Sequence, residues 1–458
     1  MESAKVFWIL IFILLYLYYY LFVNQKRKVL SFPNIFLLCM GFQFLGIISL
    51  ANMAMESSRV LILLTVVCMI SFIFGVCIAN RLFKVRYLRE VRLFREKELL
   101  LDVSRSLKVF ILGMFLVSCL VCLVYYKAIG GNIFLTSIKL YTKAGNLTDI
   151  AGQVKDLRLH SYSTSTGEAY FAPGYVNQFK NTILPILATT TIFYCLIFRS
   201  RISAIAAIAV SSLSVFFLIG TMQRVPLFWA VFIFFAIYLS GIAVDRKLSV
   251  ISLFMIGVVF LALFGIISVM LGRGISGGNM LDNVGVIFSS FFKRIFSGNQ
   301  LGALVGFDYV YNQPVVWGRE WLQGFVGIMP DKVGSNLASE VFEIIFGSQR
   351  GTAPVSIVGS IYHNFGLFGF FVVPALYGFM CQWLFIGLIR GKKEIFRIVS
   401  LFYAGVALSS WSYSGPVVIL NKGFVAAAGT YLLYRMITVF HSVAFSKRPR
   451  LIIRPVNA

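Results

Sequence analysis

Apolar residues in this chain run in long unbroken blocks, and a block of that length leaves few options for the fold. Residues 60–79 read VLILLTVVCMISFIFGVCIA, twenty positions without a charge. A helix needs about 20 such residues to cross a bilayer. In hydrocarbon the backbone must satisfy its own hydrogen bonds, which a helix does within one segment. Comparable blocks recur at 5–23, 30–50, 109–126, 181–198, 202–219, 226–244, 248–271, 366–389, 398–414 and 423–443. Only 13% of the residues are charged and 59% are hydrophobic, whereas a soluble chain carries roughly 25% charged residues. The reading is an all-α polytopic membrane protein of about 11 transmembrane helices, with residues 1–458 forming a single integral membrane domain. Disorder and a disulfide-stapled scaffold are excluded.

The formal net charge of +24 would suggest nucleic acid in a soluble protein. Here topology explains it, because Lys and Arg accumulate in cytoplasmic loops. With the N-terminus outside, the inside segments 24–29, 80–108, 199–201, 245–247, 390–397 and the tail after 444 hold 24 of the 41 basic residues. The outside segments hold 15, and Lys5 and Arg435 fall within the first and last spans. No nucleic-acid partner is implied. The first span runs straight into Lys26-Arg27-Lys28 with no small-residue cleavage site, so it reads as a retained anchor. All seven cysteines lie within spans, which argues against disulfides and thiolate metal sites.

Two connections are long, 127–180 and 272–355, and both fall on the outside. Loops of that length are usually functional. Within the second, 284–296 and 335–346 have helix-like apolar spacing, so this loop should be partly helical. The basic stretch 81–108 carries Leu82, Val85, Leu88, Val91 and Leu99 among its charges and reads as an interfacial amphipathic helix. No internal repeat is visible, which counts against inverted-repeat transporters. Gly272-Arg273-Gly274-Ile275-Ser276-Gly277 fits G-x-G-x-x-G, but it follows a membrane helix rather than a strand and is no dinucleotide site.

Several arginines stand at span ends or amid apolar outside sequence: Arg224, Arg273, Arg294, Arg319 and Arg350. Arginine pairs two phosphate oxygens at once and keeps its charge in poor solvent. One such residue can simply snorkel to head groups, but several on one face point to a polyanionic ligand such as a lipid pyrophosphate. Outside carboxylates suited to general-base work are Asp308, Glu320, Asp331, Glu340 and Glu343. Glu320 stands out because Arg319 and Trp321 flank it. His160, His363 and His441 have no metal-binding spacing, and no metal or cofactor is expected. His363 sits beside a span, where its imidazole can take a proton or donate an N–H to a phosphate.

The segment around His363 resembles the O-antigen and capsule repeat-unit polymerases, the Wzy family. The resemblance rests on Gly351-Thr352-Ala353-Pro354, followed by Tyr362-His363-Asn364-Phe365-Gly366-Leu367-Phe368-Gly369. Trp317-Gly318-Arg319-Glu320-Trp321-Leu322 with Ile328-Met329-Pro330, and the turn from Gly220 to Arg224, add weaker echoes. Many members carry an acidic residue where Ser360 stands here. The resemblance implies a GT-C-like fold in a bacterial inner membrane, with the active site facing the periplasm. It also implies the reaction: a growing glycan leaves undecaprenyl pyrophosphate for a new lipid-linked repeat unit. The expected catalytic residues are Arg224, Arg319, Arg350, His363 and Glu320, with Arg273, Arg294, Tyr362 and Asn364 binding substrate. Expected partners are the undecaprenyl-pyrophosphate-linked oligosaccharide, a chain-length-determinant co-polymerase and membrane lipids. Competing readings are an O-antigen ligase and a lipid-linked oligosaccharide flippase.

Overall fold

Each long apolar block that falls among the described residues folds as a helix, as backbone satisfaction in hydrocarbon demands. The computed structural model describes residues 2–23, 30–97, 99–101, 105–142, 147–160, 173–223, 225–239, 258–259, 262–263, 265–268, 270–271, 289, 298–329, 332, 334–348, 351–444 and 451–453. In chain order the helices are α1 (Glu2–Tyr18, continued by a π-turn, Tyr19–Val23), α2 (Phe32–Leu50), α3 (Glu56–Leu82), α4 (Tyr87–Glu96), α5 (Arg105–Ala128), α6 (Ile133–Thr142) and α7 (Leu147–His160). Next come α8 (Pro173–Gln178), a π-turn (Phe179–Ile183), α9 (Leu184–Phe198), α10 (Arg201–Ile219) and α11 (Val225–Leu239). The last set is α12 (Asn299–Tyr311), α13 (Arg319–Val326), α14 (Leu337–Phe346), α15 (Ser356–Phe365), α16 (Gly369–Arg390), α17 (Ile395–Ser409), α18 (Val417–Asn421) and α19 (Phe424–Ala444). A 3-10 turn (Ser410–Tyr413) follows α17, and among the described residues one three-residue antiparallel strand pair, β1 (Leu99–Leu101) with β2 (Leu451–Ile453), completes the regular structure.

Among the described residues eight helices are long and apolar enough to cross a membrane: Ser3–Val23, Phe32–Leu50, Glu56–Leu82, Ser106–Ala128, Gly174–Phe198, Arg201–Ile219, Gly369–Arg390 and Ile395–Tyr413. The chain is therefore an α-helical, multi-pass membrane protein. Of the other three expected spans, 226–244 and 423–443 coincide with the shorter apolar helices Val225–Tyr238 and Phe424–Val439. The third, 248–271, lies mostly outside the described residues, as do 284–296 and 81–108 in part. One boundary moves. The fifth span begins at Gly174 rather than 181, because the polar run Asn177–Lys180 stays helical and finds partners inside the protein.

The chain divides into two compact units. The first comprises 1–94, 291–391 and 405–422. Its centre is the pair α3 and α16, whose backbones nearly touch. A Cβ on Gly75 would collide with the Ala375 carbonyl, and one on Gly378 with the Phe72 carbonyl. Small residues permit such close approach, which is how helices gain contact where lipid offers no hydrophobic drive. Around the pair Phe36 stacks on Phe72 at 4.2 Å and Tyr377 meets Phe36 edge-to-face at 5.0 Å. At one end Gln382 donates to Asn80 at 2.6 Å, and the Arg390 guanidinium forks onto both oxygens of Glu90 in α4. Val91 and Phe94 of that amphipathic helix are buried. The described part of the 272–355 loop folds as α12, α13 and α14, with α12 against α15 and α14.

The second unit comprises 95–290, 392–404 and 423–458. Helices α9 and α10 form a hairpin turned by Arg199 in the left-handed region and capped by Ser200, whose Oγ accepts from Ser203 N. Residues of α6 and α7 share an apolar cluster with Leu218, Ile219, Met222 and Leu227. Arg435, the charge expected within the last span, pairs with Glu394 at 3.8 Å.

Candidate functional site

The first unit contains a connected polar cluster, and helix termination builds it. Gly366 (φ 57°) ends α15 and leaves its last carbonyls without helical partners. The segment before α13 supplies donors: Val316 N to the His363 carbonyl at 3.0 Å and Gly318 N to the Asn364 carbonyl at 3.1 Å. Trp317 (φ 51°) and Gly318 (φ 81°) then turn the chain into α13. Docking α13 on the end of α15 sets Glu320, in the first helical turn, beside Asn364. A helix N-terminus favours that negative charge.

Among the described residues, Glu320 is held by neutral donors alone. Ser335 Oγ donates to its Oε1 at 2.6 Å, and Asn364 Nδ2 donates to its Oε2 at 2.9 Å. Asn364 is fully buried, and its amide also donates to the Ser360 carbonyl at 2.9 Å. Its Oδ1 accepts from Trp321 N at 3.4 Å. All of its polar atoms are thus committed within the protein, so Asn364 orients Glu320. Trp321 Nε1 donates to Ser360 Oγ at 2.9 Å, and Gly415 leaves room for both. Edge-to-face contacts continue from Trp321 to Phe365 (4.9 Å) and Trp411 (5.5 Å), then from Trp411 to Tyr377 (4.5 Å).

His363 is half-buried on α15, and its Nδ1 is buried without a hydrogen-bond partner. Burial holds its pKa below the ordinary histidine value, against the pull of Glu320 and Glu340. The imidazole is therefore neutral at pH 7, with one nitrogen lone pair or N–H to offer. Arg319 is exposed, and among the described residues its guanidinium makes no side-chain hydrogen bond or ion pair. Three further carboxylates of this unit are also engaged by hydroxyls: Glu56 by Tyr311, Asp308 by Ser57 and Glu340 by Tyr309. Tyr362 spends its ring on Phe307 (5.2 Å) and Tyr311 (5.9 Å). Among the described residues no three His, Cys, Asp or Glu side chains gather as a metal would need.

No family model matches the chain, and neither does any curated protein or solved structure.

Of the nine residues singled out in the sequence, the structure brings Glu320, His363, Asn364 and Arg319 into one neighbourhood, the junction of α13 and α15. Tyr362 lies on the far side of α15 in an aromatic stack. Arg224, Arg273, Arg294 and Arg350 lie outside the described residues. The sequence reading missed Ser335, Trp321 and Trp411 as members of the cluster. Their signal is weak: only the adjacency of Trp321 to Glu320 was visible, because the contacts join positions 15 to 90 residues apart.

Proposed function

We propose that this protein polymerises lipid-pyrophosphate-linked oligosaccharide repeat units at the outer face of a bacterial inner membrane. One observation carries the reading: a carboxylate braced by neutral donors, Glu320, beside an unpaired guanidinium, Arg319, and a neutral imidazole, His363. That set suits glycosyl transfer from a pyrophosphate. The acceptor hydroxyl attacks the anomeric carbon of the donor glycan and gives its proton to Glu320. The anomeric C–O bond breaks, and the pyrophosphate oxygen keeps the electron pair. Arg319 meets the negative charge that develops there, and an N–H of His363 donates to the same group. A carboxylate held in place by Ser335 and Asn364 is positioned to receive the hydroxyl proton. The polyprenyl tails of both substrates require apolar surface, which the helices supply.

The test is glycan display in a strain lacking the gene, read as a lipopolysaccharide or capsule ladder, with complementation by the wild-type chain. A single repeat unit on the core in the deletion supports polymerase; bare core transfers the reading to ligase or flippase. An unaltered ladder overturns it.

A further inference from the structure

The second unit buries a lysine that the proposed reaction does not use. Lys180 lies in the π-turn Phe179–Ile183 within the span Gly174–Phe198 and is 0% exposed. Its Nζ donates to Thr221 Oγ1 at 2.7 Å, and among the described residues no carboxylate pairs with it. An ammonium has three donors; two here have no described acceptor. An ionisable group at membrane depth is costly and marks a functional site more often than a structural one. Single π-turns inside helices are also frequent at such sites.

A second donor without an acceptor faces the turn from Gly220 to Met222, which carries Thr221. Asn132 caps α6, its Oδ1 accepting from Leu135 N at 3.2 Å, which fixes the orientation of the amide. Its Nδ2 is buried with no partner. That nitrogen lies 2.7 Å from where a Cβ would stand on Gly220, so glycine is what lets it approach the turn. The turn itself is buried, and Met222 is held in the left-handed region (φ 56°). Strain of that kind persists only where the surroundings enforce it.

From this surplus of donors we infer that Lys180, Asn132 and Thr221 form an anion site for the phosphate of a lipid. A compact ammonium and an amide from different helices suit a tetrahedral anion better than a planar carboxylate, which matches an arginine fork. Tyr125, Val176, Leu184 and Phe217 form one buried apolar cluster with Tyr126, whose hydroxyl meets Gly220, so apolar side chains border the donors. Identifying the lipid as a polyprenyl pyrophosphate rests on the function proposed above. The site itself does not.

The experiment uses the full-length protein in phosphate-free maltoside detergent, titrated with farnesyl pyrophosphate, farnesol and phosphatidic acid while thermal unfolding is followed. Farnesyl pyrophosphate should raise the midpoint and farnesol should not. A response to pyrophosphate alone identifies substrate; a response to phosphatidic acid identifies a structural phospholipid. Lys180→Met should keep the fold, because it removes a buried charge, and should weaken phosphate binding at least tenfold. Asn132→Asp keeps the cap on Leu135 but places an anionic oxygen where Nδ2 donated, so it should weaken binding as much. Wild-type binding in both variants, or equal responses to farnesol and farnesyl pyrophosphate, overturns the site. Glycan ladders from Glu320→Gln cells separate the two ideas. Loss of ladder there, with wild-type phosphate binding in Lys180→Met, sinks the site and spares the reaction. An intact ladder there, with binding lost in Lys180→Met, does the reverse.

Discussion

Replacing Glu320 by Gln separates chemistry from folding at the junction of α13 and α15. The two side chains have the same shape. The Gln carbonyl can accept from Asn364 Nδ2, and its NH2 can donate to Ser335 Oγ, whose hydroxyl rotates to receive it. Both contacts, at 2.9 Å and 2.6 Å in the wild type, survive as neutral hydrogen bonds. Charge-assisted bonds are roughly twice as strong as neutral ones, so two such exchanges at a half-buried site cost about 1–2 kcal/mol at most. The effect on the reaction is larger. A positioned base contributes about 10²- to 10⁴-fold, which is about 2.7–5.4 kcal/mol on the barrier. Glu320→Gln should therefore leave the unfolding midpoint of the purified protein within a few degrees of wild type and lower transfer at least 100-fold. The assay is chain extension of a purified lipid-linked repeat unit, read by gel at matched protein concentration. A variant that retains more than a tenth of wild-type turnover refutes Glu320 as base. Glu320→Ala should lose both activity and stability, since it strips the acceptor from both Ser335 and Asn364.

Four further outcomes follow. Arg319→Ala should slow transfer roughly 30- to 1000-fold, the cost of about 2–4 kcal/mol of charge stabilisation, with partial rescue by Lys, which keeps the charge without the fork; normal ladders from a well-expressed Arg319→Ala strain would leave Arg319 as a head-group contact. His363→Gln should retain activity and His363→Ala should lose it, as measured by polymer formation, and loss in both would favour a base over a donor. Because burial lowers the His363 pKa, the native state favours the neutral imidazole, so its contribution to stability is present above the ordinary value near 6.5 and is lost as pH falls through the depressed value; wild-type stability should fall on that acid limb more than that of His363→Gln, checked by thermal unfolding against pH. Gly75→Ala forces a methyl against the Ala375 carbonyl and should cost about 1–3 kcal/mol by overpacking, read from detergent-solubilised unfolding.

The membrane helices were legible because one requirement, backbone satisfaction in hydrocarbon, writes itself into every twenty-residue apolar block. The junction at Glu320 was legible only in part. Glu320 and Asn364 each stand out locally, but their bond spans 44 positions and depends on how Gly366 ends one helix and Gly318 begins another. Neither fact is encoded by periodicity. Ser360 was weighed as a departure from an acidic position, yet its hydroxyl serves as the acceptor for Trp321. Lys180 was placed at the edge of a loop because polar neighbours diluted the apolar signal. Its burial depends on Thr221, 41 residues away.

The pairing of α3 with α16 has a consequence for how the chain is made. Close to 290 residues separate the end of α3 at Leu82 from the start of α16 at Gly369, and synthesis proceeds at roughly 5–20 residues per second. For roughly 15 to 60 s, then, the face of α3 carrying Gly75 and Asn80 stands in the bilayer before the helix it fits has left the ribosome. Asn80 must spend that interval without the Gln382 amide that finally donates to it. Chains truncated before Gly369 would leave Gly75 and Asn80 without their α16 partners permanently.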